Sequence, residues 1–286
     1  MTTAFVLSGG GSLGAVQVGM LQALADRGIR PDLLIGTSAG AVNAAFVAGP
    51  GVWPDGLGEL AQVWTELRRK DVFPIQPAHE LLALSGFRSS LCSDRGIRRL
   101  VDAHLSYRRL EDAAIPVHVV ATDLITGMET LFSTGEARSA ILASCAIPGI
   151  FPPVARGGST YVDGGLADNA AISQAVNLGA DTIYVLPGGN ACALTRGPTH
   201  PVAIALQALT LLIQNQLIRD VAHYATRVSL IVLPPLCPLE VAPLDFGRAR
   251  QLIDRARGST IAWLDSDRPQ PKHPERLLAL HDHRGG

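Results

Sequence analysis

Residues 4–28, AFVLSGGGSLGAVQVGMLQALADRG, run from an apolar strand through a glycine-rich turn into a helix. No other stretch restricts the fold as much, because a strand that reaches its successor through a helix pairs with it in parallel. The helix carries Leu13, Val16, Met20 and Leu24 at helical spacing, and Gly28 ends it. The turn fits G-x-G-x-x-G at Gly9, Gly11 and Gly14, a pattern that lets backbone N–H groups face an anion. That anion is either the pyrophosphate of a dinucleotide or a charge that develops during a reaction.

Further apolar runs predict strands at 32–36, 117–123, 129–133, 160–162, 181–186 and 228–233, besides the first at 3–8. Several are continuous in Val, Ile and Leu instead of alternating, as in parallel strands covered on both faces. The class is therefore α/β with a mainly parallel sheet. With 286 residues, 47% of them hydrophobic, the chain can bury one large core. Residues 1–264 read as a single domain with a mostly helical insertion at about 50–115, in which Ser93 is a candidate helix cap. The stretch DFGRARQLIDRARGSTIAWL reads as a terminal amphipathic helix. The tail, residues 265–286, mixes Pro, charge and His and is expected to be mobile.

A net charge of −1 supplies no field for polyanions, which argues against a nucleic-acid partner. Cys92, Cys145, Cys192 and Cys237 are far apart and form no C-x-x-C pair. They read as buried, reduced thiols, with neither a disulfide framework nor a zinc site expected. The N-terminus lacks a basic region, and its apolar run stops at Leu7, so no secretory signal is expected. The apolar segment 201–218 is interrupted by Gln207, Thr210 and Gln214 to Gln216, which favours a buried or interface helix over a bilayer span. These features predict a soluble cytoplasmic protein, with a membrane surface as one place for it to work.

A dinucleotide fold requires an acid at the end of its second strand. Here the only acid of that strand, Asp32, stands at its start, and its far end reads GTSAG, Gly36 to Gly40. This is G-x-S-x-G on a strand-to-helix turn, the context of a nucleophile elbow. Gly36 permits the sharp turn, Gly40 lets the following helix pack closely, and Ser38 sits at a helix N-terminus that favours its anionic form. Two backbone-donor loops at neighbouring strand ends supply an attacking oxygen and N–H groups for the charge it creates. The amides of Gly9, Gly10 and Gly11 are then the candidate oxyanion hole.

Ser38 needs a proton acceptor. The order Ser…Asp/Glu…His of an α/β-hydrolase fits poorly: Ser38 follows only two strands, His118 lies in a strand, and His200 and His223 lie along helical segments. His273, His281 and His283 fall in the tail, and His200, beside two prolines, is a weak candidate. In YVDGGLADN, Asp163 ends a strand and the turn Gly164-Gly165 presents it. Asp123 also ends a strand, but Thr126-Gly127 explains it as a hairpin turn. An ordinary carboxylate is a feeble base at a pKa of about 3.9, so Asp163 must be desolvated to serve.

These residues resemble the patatin-like phospholipase family. The resemblance runs in order through SGGGSLGAVQVGMLQAL, GTSAGAVNAA, VVATDLITG, SCAIPGIFPPV and YVDGGLADN, from Ala4 to about Gly188. It implies a three-layer α/β/α sandwich related to cytosolic phospholipase A2. It also implies acyl-ester hydrolysis by a Ser–Asp dyad, Ser38 and Asp163, with no His, metal or cofactor. The family commonly has a basic residue where this chain has Leu13, which favours a neutral acyl ester as the substrate, and often a proline where Ala170 stands. Ile147, Pro148, Ile150 and Phe151 are candidates for one wall of the acyl cleft, and plain core packing explains them equally well. Trp53, Trp64, Phe73 and Phe87 of the insertion are candidates to cover the cleft or touch a membrane. Two rival functions remain: an acyltransferase with the same nucleophile, and a non-enzymatic nucleotide-binding module.

Overall fold

The computed structural model describes residues 1–74, 87–193, 197–266 and 273–281. One mixed sheet holds β1 (Thr3–Leu7), β2 (Leu33–Thr37), β3 (Val117–Asp123), β4 (Glu129–Phe132), β5 (Val154–Arg156), β6 (Ser159–Asp163), β7 (Thr182–Leu186) and β8 (Ser229–Val232). Their order is β5-β6-β3-β2-β1-β7-β8, with β4 also paired to β3. The run from β8 to β3 is parallel, while β4, β5 and β6 are antiparallel additions. β5 was not foreseen. Its three residues are too few to show a period, and it exists by pairing with β6 across Gly157-Gly158.

The helices are α1 (Gly14–Asp26), α2 (Ala39–Val47), α3 (Leu57–Glu66), α4 (Arg69–Val72), α5 (Arg95–His104), α6 (Ala137–Ser144), α7 (Ile172–Asn177), α8 (Pro201–Tyr224) and α9 (Ala249–Leu264). Successive side chains of β1 point to opposite faces, and they enter different cores. Phe5 and Leu7 pack with residues of α1, α2, α3, α6 and α9. Ala4 and Val6 pack with α7 and with Leu217 and Val221 of α8. The result is a three-layer α/β/α sandwich, and its central strand β2 is buried throughout for that reason.

Four expectations need correction. The tail does not hang free throughout: Pro274–Leu278 forms a short 3-10 helix whose Pro274 and Leu278 are buried, and Gln214 of α8 donates to the Leu278 carbonyl at 2.9 Å. The helix at 201–218 is not buried, since α8 exposes Val202, Ile204 and Leu212. Gln214, Leu217 and Val221 are its buried residues, and Gln216 donates to the Ala167 carbonyl. By length and composition α8 could cross a bilayer, and 11% of its apolar window is buried. Of the four cysteines, Cys145 alone is buried and Cys237 is exposed, and none of the four is in a disulfide. In the insertion, Trp64 is buried and Trp53 and Phe73 pack against the same core, whereas Phe87 is 81% exposed.

Candidate active site

Ser38 occupies the bend between β2 and α2 with φ +54° and ψ −122°. Among the described residues it is the only one other than glycine at positive φ. Such backbone costs about 1–3 kcal/mol and persists where its surroundings dictate it. Here the Ser38 N–H donates to Ser144 Oγ at 2.7 Å, and the Ala41 N–H donates to the Ser38 carbonyl at 2.9 Å. Gly40 lets α2 approach β1 directly: a Cβ there would lie 2.2 Å from the Leu7 carbonyl oxygen. Sequence reading did not single out Ser144, because one serine in an apolar helix carries no pattern of its own.

β6 runs antiparallel to β3 with Asp163 beside Ala121, and parallel β2 ends with Thr37 beside Val120, so Ser38 and Asp163 stand at the same level of the sheet on the two flanks of β3. There Ser38 Oγ donates to Asp163 Oδ2 at 2.6 Å. The other carboxylate oxygen, Oδ1, accepts from the Gly165 N–H at 2.9 Å. The backbone is anchored as well, the Asp163 N–H donating to the Ala146 carbonyl at 2.9 Å. Both side chains are buried. Desolvation pushes the Asp163 carboxyl up to about 6, against the opposing pull of its bonds to Ser38 and Gly165. The group that the sequence required to be desolvated is therefore raised toward neutrality.

The glycine loop lies against the nucleophile, where a Cβ on Gly9 would fall 3.2 Å from that of Ser38. Gly9 itself departs from expectation as an oxyanion donor, because its N–H is committed to Asn169 Oδ1 at 2.9 Å. The N–H groups of Gly10 and Gly11 meet no acceptor among the described residues. Gly11 adopts φ +59°, with the Pro243 carbonyl where a side chain would stand. Asn169 thus links the loop to the segment following Asp163. Asn169→Ala takes the partner from the half-buried Gly9 N–H, at a cost of about 1 kcal/mol. It is expected to lower kcat about tenfold to hundredfold, with KM little changed in steady-state assays of a soluble ester.

A buried polar chain braces the same loop from behind. Gln17 Nε2 donates to the Ser8 carbonyl at 2.7 Å, Asn43 Nδ2 to Gln17 Oε1 at 2.9 Å, and Trp64 Nε1 to Asn43 Oδ1 at 2.8 Å. Loop, elbow helix and insertion are joined by side chains that cannot exchange these bonds for water. The signal available in the sequence was a lone Gln and a lone Asn inside apolar helices.

Other expected residues separate. Gly14 faces the Trp64 ring, and Gly36 and Gly164 lie against the backbone of Gly40 and Val120. Ile150 and Phe151 belong to the buried core; the Phe151 ring stacks on Phe73 at 5.1 Å. Ile147 is half-buried and Pro148 exposed. Leu13 is buried in the core. Asp123 closes its own turn, accepting from the N–H groups of Ile125 at 3.0 Å and Thr126 at 2.9 Å, and chiefly the Thr126 bond lowers its pKa. No described histidine bonds Ser38 or Asp163: His118 meets Ser133 Oγ, and His223 packs on Tyr224. His200 precedes α8, and His273 pairs with Glu275. His283 lies outside the described residues.

Residues 5–176, more than half of the chain, match the patatin-like phospholipase family. The chain belongs to that family. This patatin-like chain is 29% identical over 189 residues to patatin-like phospholipase domain-containing protein 7 of Rattus norvegicus, a match covering 65% of this chain and 14% of that one. It is 27% identical over 195 residues to lysophospholipase NTE1 of Saccharomyces cerevisiae, covering 65% and 11%. The chain therefore spans a small part of the length of these relatives. Among solved structures it is similar to human GIVD cytosolic phospholipase A2, at 12% identity and a TM-score of 0.45, over 97% of this chain and 58% of that one.

Proposed function

We propose that this patatin-like chain is a serine acyl hydrolase that cleaves acyl esters of lipids. The observation that carries the reading is the buried 2.6 Å bond from Ser38 Oγ to Asp163 Oδ2. Asp163 accepts the hydroxyl proton as Ser38 Oγ attacks the ester carbonyl carbon. The tetrahedral oxyanion is met by the N–H groups of Gly10 and Gly11, each such donor being worth about 2.7–4 kcal/mol in the transition state. Collapse breaks the ester C–O bond, and Asp163 returns the proton to the departing alcohol. Water, activated by the same carboxylate, then releases the acyl group and restores Ser38.

The names of the relatives, a patatin-like phospholipase and a lysophospholipase, support a lipid ester as the substrate. A membrane surface is the place of action in this proposal. Leu124, Ile125 and Met128 of the β3–β4 turn, Leu166 just after Asp163, and Val202 and Ile204 at the start of α8 are exposed. The β3–β4 turn leaves the carboxyl end of β3, the side on which parallel β2 delivers Ser38, and such an apolar group supports contact with a lipid surface.

A fluorophosphonate probe incubated with the native chain, followed by peptide mapping, tests the assignment. Stoichiometric labelling is expected at Ser38 and nowhere else. Labelling at another serine, or none on folded protein, removes the hydrolase reading.

A further inference from the structure

Parallel β7 and β8 end at the same edge of the sheet, and the loops that leave them meet the C-terminal segment. Cys192 lies in the loop after β7, Cys237 in the loop after β8, and His281 just beyond the Pro274–Leu278 helix. The two sulfurs are 4.0 Å apart, and His281 Nε2 is 3.0 Å from Cys237 Sγ. All three atoms lie within 4.8 Å of one another. His281 Nδ1 stands 2.8 Å from the Ala279 carbonyl oxygen. A carbonyl only accepts, so Nδ1 holds the ring proton and Nε2 turns a lone pair toward the sulfurs. A backbone carbonyl on the distal nitrogen is the arrangement that orients metal-ligating histidines.

The spacing distinguishes two chemistries. A disulfide needs its sulfurs about 2.05 Å apart, whereas a tetrahedral ion about 2.3 Å from each sulfur leaves them about 3.8 Å apart. Two thiols and one imidazole suit zinc and disfavour magnesium or calcium. The donors come from segments distant in the chain, so no short spacing announces them, and all three lie outside the 5–176 region matched to the family.

We propose that Cys192, Cys237 and His281 bind one divalent cation of the zinc class. The two thiols release their protons to solvent on binding, and no electron is transferred. The ion clips the C-terminal segment onto the sheet edge, well separated in role from the ester chemistry at Ser38.

The full chain, purified reduced and stripped of metal, is titrated with zinc and, separately, with cobalt(II). The expected results are one equivalent of either ion, a thiolate-to-cobalt charge-transfer band, and a zinc-dependent rise in melting temperature of several degrees that EDTA reverses. Cys192→Ser and His281→Ala should each lose the stoichiometric ion and the band, while Cys92→Ser keeps both. Folded wild type that takes up no ion, or binding that survives in both site variants, overturns the proposal. So does a chain isolated without reductant about 2 Da lighter with Cys192 cross-linked to Cys237, because the pair would then be redox-active. None of these readouts passes through ester hydrolysis, so the outcome is independent of the function proposed above.

Discussion

Asp163→Asn is expected to lower kcat/KM for a short-chain ester by about 10⁴-fold, the scale seen when the acid or base of a hydrolytic serine site is neutralised. The amide keeps the shape of the carboxylate and can still accept from the Gly165 N–H, but it cannot take the Ser38 proton. The variant should therefore remain folded. It should even gain stability at pH 8, for a reason that follows from the raised pKa. The folded carboxyl holds its proton more tightly than the unfolded chain does, so ionising it costs the native state. That cost is absent below about pH 3.8, grows as the pH rises and is complete above about 6. At 1.36 kcal/mol per pH unit it comes to about 3 kcal/mol, which the neutral amide does not carry. In the wild type, kcat/KM should climb with pH to a plateau, with a midpoint near 6. Pre-steady-state and steady-state rates, with melting curves at two pH values, check both halves. An active variant, or a profile that is flat between about pH 5 and 8, excludes Asp163 as the base. A variant that melts several degrees lower at pH 8 excludes the predicted desolvation cost.

The sandwich was legible because its central strands are apolar on both faces and glycines close some of the connecting helices, as Gly28 does after α1. Ser38 and Asp163 were legible for a related reason: each sits where a strand must turn sharply, and sharp turns leave glycines in the sequence. Residues that hold the site by one side-chain bond leave no such trace. Asn169, Ser144, Gln17 and Asn43 act through partners up to 169 positions away, and only the folded chain pairs them. Gly9 shows the converse: its motif position suggested a free amide, and Asn169 claims it. The polar interruptions of α8 did not tell which face is buried: Gln214 and Gln216 bond the domain beside the buried Leu217 and Val221, while Val202, Ile204 and Leu212 are exposed. A polar residue in an apolar run marks a special face without saying which way it points.

Gly40→Ala is expected to destabilise the fold by about 3 kcal/mol or more, the upper range for an atom forced into filled space. A Cβ at this position would stand 2.2 Å from the Leu7 carbonyl oxygen and 2.6 Å from the Leu7 carbonyl carbon and the Ser8 carbonyl oxygen. These are backbone atoms and cannot swing aside. Leu7 is also fixed from both flanks, paired with Gly36 of β2 and with Leu186 of β7. Relief must come from α2, which would lift from the sheet and carry Ser38 with it. For a domain of this size the melting temperature should fall by roughly 6–12 °C. Fluorophosphonate labelling of Ser38 should slow in protein that is still folded, since the hydroxyl leaves its 2.6 Å contact with Asp163. Gly58→Ala is the matched control. Gly58 lies in α3 with nothing within 4 Å of its added Cβ, so removing a helical glycine should leave labelling unchanged and stabilise by about 0.5–1 kcal/mol. If both variants melt within a degree of the wild type, the close approach of α2 to β1 is not what holds the elbow. The strain at Ser38 would then have to be maintained by Ser144 and the Asp163 turn.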